Sequence, residues 1–397
     1  MQIGISTIGF IPAVILIAIG LAGVQAAAQP FIGNIFNSSF AKEQLPKTTR
    51  KSLTEYLADQ YTETKMRIRV NKRGERVVED LAMTIQYIYN VNYWMVNLGS
   101  LGSIATTLME KYIGYWSAYL LDVCAVVLCV IIIQLARPKF VHPPVHGAVL
   151  PRTARCSWYA VQSRFDLDAA LPESQLRTHN RVVPWDKEFI NELRDALSAF
   201  KICVGWPIFW VCMGEGAQVS ISQAGQMETH GVPNDLIKSS NPIAYMIIGV
   251  MIRFSPINRI SLGFAIMSVA MAYAAVVQAL IYKAGPCYTY PLACVASQGG
   301  KIPNYVHVLV QLPVYIIIAL AEVFCWPTGS EYTYSHSPDS MKSILQACYT
   351  GTAGLGYLLR MALTPLTKDP LLIVLWSVVA GMMFITTCWF RIAFQHY

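Results

Sequence analysis

Long apolar stretches recur along the chain, and they constrain its fold more than any other feature. A helix needs about 20 mostly apolar residues to cross a bilayer. Only 13% of the residues are charged and 54% are hydrophobic, which is too little charge to cover a water-facing surface. We therefore predict an all-α, polytopic membrane protein with about nine spanning helices, at roughly 6–28, 82–105, 112–136, 200–221, 240–254, 260–283, 304–327, 341–364 and 370–392.

Lysine and arginine are concentrated in alternate loops. The segment 29–81 holds ten of them and 137–201 holds another ten, whereas the loops between carry few. Basic loops stay in the cytoplasm. The pattern predicts that the first helix runs from outside to inside and that the C-terminus, after Arg391, is cytoplasmic. We expect the membrane to be the plasma membrane.

The long polar segment 137–199 divides the predicted helices into three and six. It leads into the stretch Trp185–Phe200, where Phe189, Leu193 and Leu197 are spaced to share one face of a helix. We expect this helix to lie laterally beside the membrane part. The predicted domains are a partial N-terminal bundle, a cytoplasmic loop and a C-terminal six-helix bundle, at 1–136, 137–199 and 200–397.

The segment Ala321–Ser343 has a distinctive composition. It places Glu322 inside an apolar run, and it continues with the patterns Gly-x-Glu-Tyr-x-Tyr-Ser-x-x-Pro and Ser-Met-Lys-Ser. This resembles the signature of the proton-dependent oligopeptide transporters, a branch of the major facilitator superfamily, in their fungal form. Further stretches are similar to that family's helix five, its join between helices seven and eight, and its helix nine: Ile88–Gly99, Ser222–Asp235 followed by Asn241-Pro242, and Met271–Gln278.

The resemblance implies a helical bundle of the major facilitator type in which the nine stretches are the family's helices four to twelve. The first three helices, with their Glu-x-x-Glu-Arg motif, are expected to be missing. The family's fourth-helix lysine, a partner of the substrate carboxylate, is here Gln25. About residues 33–57 we expect an insertion, interpreted as a retained intron or a gene-model error.

Charges inside apolar spans cost about 2.5–3.5 kcal/mol on insertion scales, so each needs a reason. The resemblance implies that Glu322 faces a central cavity and holds a peptide's amino group or a proton. The alternative is a packing carboxylate that accepts hydrogen bonds from a neighbouring helix. Five amide and aromatic side chains are expected to join it at the substrate site: Gln25, Tyr89, Asn97, Asn241 and Trp326.

Other charged residues have two interpretations each. Glu331 and Lys342 are candidates for an inner gate, or they form a plain interfacial ion pair. Glu215 is a candidate for a cavity-facing role in proton coupling, or it makes an internal hydrogen bond or snorkels. Asp122 and Arg360 are interpreted as structurally paired charges.

Several further residues are expected to have structural roles. Tyrosine and tryptophan often anchor helices at the membrane interface, and small residues let helices approach closely. A disulfide in the loop after 283 is possible and is left open. The residues concerned are Tyr93, Trp94, Tyr112, Tyr115 and Trp116 for anchoring, Gly351, Gly354 and Gly356 for packing, and Cys287 and Cys294 for the disulfide.

The favoured function is proton-coupled uptake of di- and tripeptides or peptide-like compounds by alternating access. One alternative is transport or efflux of a peptide-derived secondary metabolite, motivated by Gln25 in place of lysine. Another is a truncated, inactive fragment. No nucleophile–base pair, phosphate loop or metal-ligand spacing stands out, so we expect no enzyme, cofactor or metal. The expected partners are peptides, protons and the lipid bilayer, without nucleic acid, and the sequence fixes no oligomeric state.

Overall fold

The computed structural model describes residues 67–70, 76–79, 81–136, 149–164, 166–248, 255–338 and 341–395. Helices dominate this part of the chain, as predicted. The helices are α1 Leu81–Ser100, α2 Gly102–Tyr112, α3 Tyr115–Ala136, α4 Val149–Gln162, α5 Pro172–His179, α6 Lys187–Phe200, α7 Trp206–Gly225, α8 Asn234–Lys238, α9 Ser240–Ile248, α10 Pro256–Lys283, α11 Leu312–Ser335, α12 Lys342–Leu363 and α13 Leu372–Ala393.

Short strands and 3-10 turns complete the described part. The strands form an antiparallel hairpin and a parallel pair, with the registers Arg67↔Glu79 and Met227↔Asn304. The strands are β1 Arg67–Val70, β2 Arg76–Glu79, β3 Met227–Glu228 and β4 Asn304–His307, and the 3-10 turns are Leu167–Ala170, Lys201–Gly205, Val295–Ser297, Val308–Gln311 and Thr364–Thr367.

Internal contacts group the described residues into two compact units. One holds the β1–β2 hairpin, the start of α1 as far as Ile88, and α3 from Asp122 onwards. The other holds Tyr89–Leu121 and the chain from Val149 onwards. The site described below lies in the second unit. The domain limits at 136/137 and 199/200 stay a prediction.

Most predicted spans correspond to helices with shifted limits. The largest correction concerns 304–327, because the helix α11 begins only at Leu312 and continues to Ser335. Residues before it form β4, and Asn304 ties that strand to the end of α10 by donating to the carbonyl of Ile281 over 2.8 Å. Apolar residues there serve a strand and a 3-10 turn, which hydropathy alone does not distinguish from a helix.

Other limits also differ. The predicted span 82–105 is two helices, with a turn at Leu101 between Gly99 and Gly102, where glycine weakens helix formation. The span 240–254 is described only as far as Ile248. The predicted first helix, Gln25 and the proposed insertion lie outside the described residues.

Five helical segments in the described part are long and apolar enough to cross a membrane: Tyr115–Ile132, Lys187–Gly225, Pro256–Lys283, Val308–Ser335 and Leu372–Ala393. Many of their large apolar side chains are exposed, among them Leu128 on α3 and Ile385 on α13. A soluble protein rarely exposes so much apolar surface to water, whereas a membrane protein exposes such a surface to the lipid tails. The chain is a multi-pass membrane protein.

The amphipathic helix predicted at Trp185–Phe200 is confirmed as α6. It begins after Asp186, whose carboxylate accepts a hydrogen bond from the backbone N–H of Phe189 at 2.9 Å and so caps the helix. Leu193 is buried as expected, but Leu197 is 43% exposed. That part of the prediction is wrong, because Ala196 and Ala199 form the buried face at this end of α6.

The helices α4 and α5 were not predicted, and α4 packs with α6 into a small apolar cluster. Cys156 from α4, together with Leu193 from α6, lies in that cluster. Met341 and Leu345, at the start of α12, belong to the same cluster. The described segment 149–200 is therefore attached to the start of α12 by apolar packing.

A chain of buried, hydrogen-bonded amides joins the end of α7 and the later part of α10 to the residues just before α11 and α13. Gln311 donates to Gln223 over 2.8 Å, and Gln223 donates to Gln278 over 2.9 Å. Gln278 then donates to Gln226 over 2.8 Å, and Gln226 donates to Asp369 over 3.0 Å. Buried polar networks whose members are hydrogen-bonded restrict relative movement, so this amide chain fixes α7, α10 and the starts of α11 and α13 against one another.

The loop between α10 and β4 contains the disulfide that the sequence left open. Cys287 and Cys294 are bonded, with their Cα atoms 5.4 Å apart. Asn304 also binds this loop, since its side-chain oxygen accepts from the backbone N–H of Cys287 at 3.1 Å. The covalent bond and this hydrogen bond together hold the loop beside the start of β4.

The three glycines of α12 differ in their surroundings. A Cβ atom on Gly356 would lie 2.6 Å from the Cβ of Trp210 and 2.8 Å from the carbonyl oxygen of Pro207, so α7 and α12 need this glycine to pack. A Cβ on Gly351 or Gly354 would meet no described residue within 4 Å. The packing prediction is confirmed for Gly356 and stays a prediction for the other two.

We predict that Gly356→Ala lowers the free energy of unfolding by about 1–3 kcal/mol, the usual penalty for overpacking a rigid contact. Gly351→Ala, on the same helix, is the matched control and should be neutral or stabilising by up to about 1 kcal/mol, because alanine favours helix more than glycine does. Thermal unfolding of the purified variants in detergent measures both. Equal melting temperatures would contradict the close approach of α7 and α12.

Candidate functional site

Glu322 lies in the middle of α11 and is the centre of a buried polar cluster. Its side chain is 3% exposed. The hydroxyl of Tyr93, on α1, donates to Oε2 over 2.9 Å, and Nδ2 of Asn241, on α9, donates to Oε1 over 3.1 Å. Each carboxylate oxygen thus has one neutral donor, and the two donors come from two different helices.

Aromatic rings enclose this carboxylate. The ring of Tyr93 stacks on Trp326 with their centroids 5.1 Å apart, and it meets Tyr245 edge-on at 4.7 Å. Trp326 in turn meets Trp210 of α7 edge-on at 4.7 Å. The rings exclude water from the carboxylate, which strengthens any electrostatic interaction made there.

No lysine, arginine or histidine among the described residues forms an ion pair with Glu322. A buried carboxylate without a cation is strongly unfavourable and is neutralised by a proton or by a cationic ligand. The observed hydrogen bonds correspond to the packing interpretation of this residue, and the side chain is closed off from solvent in this conformation. Its role in binding stays a prediction.

The other residues predicted for the substrate site lie at different distances from this cluster. Asn241 and Trp326 are part of it. Asn97 is buried, but its amide donates to the carbonyl of Tyr93 on its own helix over 3.0 Å. Tyr89 is buried with its ring centroid 6.2 Å from that of Tyr334. Gln25 lies outside the described residues.

Glu331, about two and a half turns beyond Glu322 on α11, has a cationic neighbour. Oε2 of Glu331 lies 3.7 Å from Nη1 of Arg259 on α10, and both side chains are 10% exposed. This partner was not predicted. Lys342 is the first residue of α12, but its side chain lies outside the described part, so the Glu331–Lys342 gate stays a prediction.

Glu215 of α7 is paired with Arg360 of α12. Nε of Arg360 donates to Oε1 of Glu215 over 2.9 Å, and Nη2 donates to Gln218 over 2.7 Å. The pair borders a cavity of about 510 Å³ that Ser222 and Thr364 also line. The structural pairing expected of Arg360 is confirmed. Asp122 is exposed and forms no ion pair with any described residue.

The sequence analysis missed Tyr93, which it interpreted as an interfacial anchor. This interpretation is wrong, since Tyr93 is 7% exposed and binds Glu322. A signal was present: Tyr89, Tyr93 and Asn97 recur every four residues and so share one face of α1. Three of the other expected anchors are at least 66% exposed near the ends of α2 and α3: Tyr112, Tyr115 and Trp116.

We predict that Tyr93→Phe lowers the free energy of unfolding by about 1–2 kcal/mol, because it removes a hydrogen bond to a buried carboxyl group and keeps the stacked ring. Tyr245→Phe is the matched control. Its hydroxyl makes no hydrogen bond with any residue that the structure describes, so its effect should be below about 0.5 kcal/mol. Denaturant unfolding in detergent gives both values, and equal losses would argue against the Tyr93–Glu322 bond.

A double-mutant cycle tests the pair Arg259–Glu331. Arg259→Gln leaves the buried Glu331 carboxylate without this ion-pair partner, and Glu331→Gln takes one ion-pair contact from Arg259. Each should therefore destabilise by up to about 3–5 kcal/mol, and the double variant by much less than their sum. The exposed pair Arg194–Asp168, at 2.5 Å with side chains 50% and 64% exposed, is the control. Its coupling should stay below about 1 kcal/mol, and additive effects at the buried pair would contradict the prediction.

Comparison with known proteins places these observations in a family. The model of the POT family matches residues 49–375. The peptide transporter PTR_A of Candidozyma auris is 36% identical over 98% of this chain and 63% of its own length, and PTR2 of Saccharomyces cerevisiae is 34% identical over 98% and 61%. The peptide transporter imqD of Aspergillus flavus is 40% identical over 82% of this chain and 78% of its own length.

The chain therefore spans less than two thirds of the length of PTR_A and of PTR2. Solved structures agree on the fold. An auto-inhibited POT family peptide transporter superposes with a TM-score of 0.57 at 16% identity, covering 87% of this chain and 74% of that one. The POT family transporter PepTSo gives a TM-score of 0.58 at 14% identity, covering 93% and 82%. The chain belongs to the POT family, the proton-dependent oligopeptide transporters of the major facilitator superfamily.

Proposed function

We propose that this protein is a secondary transporter that takes up di- and tripeptides or peptide-like compounds together with protons. The observation that carries the proposal is Glu322, a buried carboxylate that has two neutral hydrogen-bond donors and no ion-pair partner among the described residues. The names of the relatives support peptides as the cargo. They favour neither the secondary-metabolite alternative nor the inactive fragment.

The chemistry of Glu322 supplies the coupling. Its negative charge is balanced either by a proton on the carboxylate or by the ammonium group of a peptide, and both occupy the same oxygens. A group that holds one of the two, but not both, links the movement of a proton to the movement of substrate. Tyr93 and Asn241 hold the carboxyl group in place for either partner.

The hydrogen bond from Tyr93 also links parts of the chain that we propose to move apart. Tyr93 is in the proposed N-terminal bundle (1–136), whereas Glu322 and Asn241 are in the proposed C-terminal bundle (200–397). Alternating access requires the two bundles to separate on one side of the membrane at a time. In the proposed cycle, breaking the Tyr93–Glu322 bond opens Glu322 to the substrate path, and the observed conformation is the closed one.

Further parts of the proposal follow the same logic. Tyr89, Asn97, Trp326 and Gln25 line the substrate path, and Glu331 with Lys342 forms a gate at the cytoplasmic side, where Arg259 already holds Glu331. Glu215 is a second carboxylate that takes part in coupling. The protein acts in the plasma membrane with its C-terminus in the cytoplasm, as the basic loops indicate.

We predict that Glu322→Gln abolishes the uptake of a labelled dipeptide that an inward proton gradient drives, because glutamine is neutral and takes up neither a proton nor an ammonium ion as a counter-charge. Reconstituted vesicles with and without the pH gradient provide the measurement. Uptake should fall at least about 100-fold, the effect of losing a buried charged contact worth about 3 kcal/mol.

Glu188→Gln is the matched control, since it makes the same change on the exposed side of α6 and should leave uptake unchanged. Both variants should be checked for folding by their melting temperatures. Gradient-driven uptake by Glu322→Gln at the wild-type rate would refute the role of this carboxylate, and an absence of any uptake by the wild type would refute the proposed function.

A further inference from the structure

We propose that Arg360 is the binding site for the carboxylate group of the substrate, at the cavity between α7 and α12. This inference rests on the proposed function, because it supplies the second contact that a zwitterionic peptide needs. A free peptide carries an ammonium group and a carboxylate. Glu322 is suited to the ammonium group only, so the carboxylate requires a cation elsewhere.

The cavity presents one positive group. Its lining includes Glu215, Gln218 and Arg360, together with the hydroxyl-bearing residues Ser222, Thr364 and Thr367. The Glu215 side chain is 1% exposed and its Oε2 is buried, whereas the Arg360 side chain is 18% exposed. A ligand in the cavity therefore meets the guanidinium group and not the carboxylate behind it.

Arg360 has donors to spare. A guanidinium group has five N–H donors, and this one uses two, for Glu215 and Gln218, among the residues that the structure describes. A carboxylate is the ligand that best matches a planar fork of N–H groups, because it can accept two parallel hydrogen bonds. The hydroxyl groups around the cavity offer further donors to the same ligand.

The position of Arg360 is prepared by its neighbours. Gly214 leaves room for the side chain, since a Cβ atom at that position would lie 3.0 Å from Cδ of Arg360. Glu215 and Gln218, one turn apart on α7, hold Nε and Nη2. Glu215 is thus a positioning residue that fixes the orientation of the arginine and lowers the cost of keeping its charge inside the bundle.

The arginine site and the Glu322 cluster share one wall. Gly356, one helical turn before Arg360 on α12, packs on Trp210, and Trp210 contacts Trp326 beside Glu322. The two groups proposed to bind the ends of a peptide are therefore linked through packed side chains of α7, α11 and α12.

Competition between a free tripeptide and its C-terminal amide tests the proposal. Trialanine and trialanine amide differ only in the carboxylate. Each is used to inhibit uptake of a labelled dipeptide into vesicles that contain the 397-residue chain. The wild type should prefer the free acid. Arg360→Gln should weaken inhibition by the acid by about 10- to 100-fold, as expected for a lost charge-assisted contact, and should leave inhibition by the amide within about twofold.

Arg360→Gln leaves Glu215 buried without its partner, which can impair folding. The double variant Glu215→Gln with Arg360→Gln removes both charges and keeps two amides that can bond to each other, so it should fold. Because Glu215 is also proposed to take part in coupling, the preference of this variant is measured as the thermal stabilisation of the purified protein in detergent by each tripeptide, which needs no uptake. It should show the same loss of preference. Arg360→Lys should show an intermediate preference, since it keeps the charge but not the fork. Arg194→Gln, on the exposed face of α6, is the matched control and should behave as the wild type does.

The outcomes separate the two proposals. If the acid still stabilises the double variant more than the amide does, by as much as in the wild type, Arg360 is not the carboxylate site and the transport proposal stands. If the wild type takes up no peptide, the transport proposal fails, and the inference fails with it. A loss of preference confined to the Arg360 variants supports the inference.

Discussion

The structure depends on how charge is balanced inside apolar helices. Among the described residues, three glutamates are buried in the helical bundle, and two of them have an arginine from another helix. Glu215 is bound by Arg360 and Glu331 lies beside Arg259. Glu322 differs, because both of its oxygens are held by neutral groups. No described residue supplies a positive charge to it, and a buried carboxylate without a cation is stabilised by a proton or by a cationic ligand.

Glu322 lies on a group of helices that are tied together by hydrogen bonds, whereas its partner Tyr93 belongs to α1, which is attached by fewer contacts among the described residues. The buried amide chain from Gln311 to Asp369 holds α7, α10 and the starts of α11 and α13 together, so Glu322 is presented from a rigid group of helices. The partner Tyr93 reaches it from α1 through one hydrogen bond and through ring contacts. One bond of this kind is worth about 1–3 kcal/mol, which a bound ligand can replace.

How far the sequence predicted this structure depends on how local each signal was. Apolar length located α3, α10 and α13 within a few residues, because a spanning helix has to be apolar along its whole length. The cost of a charge in such a run drew attention to Glu322, which the structure places in a buried polar cluster, whereas its role in binding stays a prediction. The start of α11 was not predicted, because the many apolar residues in 304–311 look like the beginning of a spanning helix. They form a strand and a 3-10 turn instead, and the partners that hold them are distant in sequence.

Pairings between residues that are distant in the sequence could not be predicted from the sequence. Arg259 precedes Glu331 by more than 70 positions, and no local pattern connects them; the same holds for Glu215 and Arg360. Tyr93 illustrates a different limit. A tyrosine in a spanning helix suits both a membrane interface and a buried site, and only the position of α1 beside α11 decides between them. Its four-residue spacing from Tyr89 and Asn97 favoured the buried face but said nothing of the partner.

The different partners of the three glutamates imply different functions. An ion pair within the protein can serve as an anchor for a helix or, through the spare donors of its arginine, for an anionic group. A carboxylate with neutral donors alone has to exchange its counter-charge with the surroundings. In the proposed mechanism, the proton and the ammonium group of a peptide compete for the same two oxygens of Glu322, so the occupancy of one regulates the other. On that proposal, coupling follows from the absence of a cation beside Glu322 among the described residues, and it requires only a movement that exposes these oxygens to each side in turn.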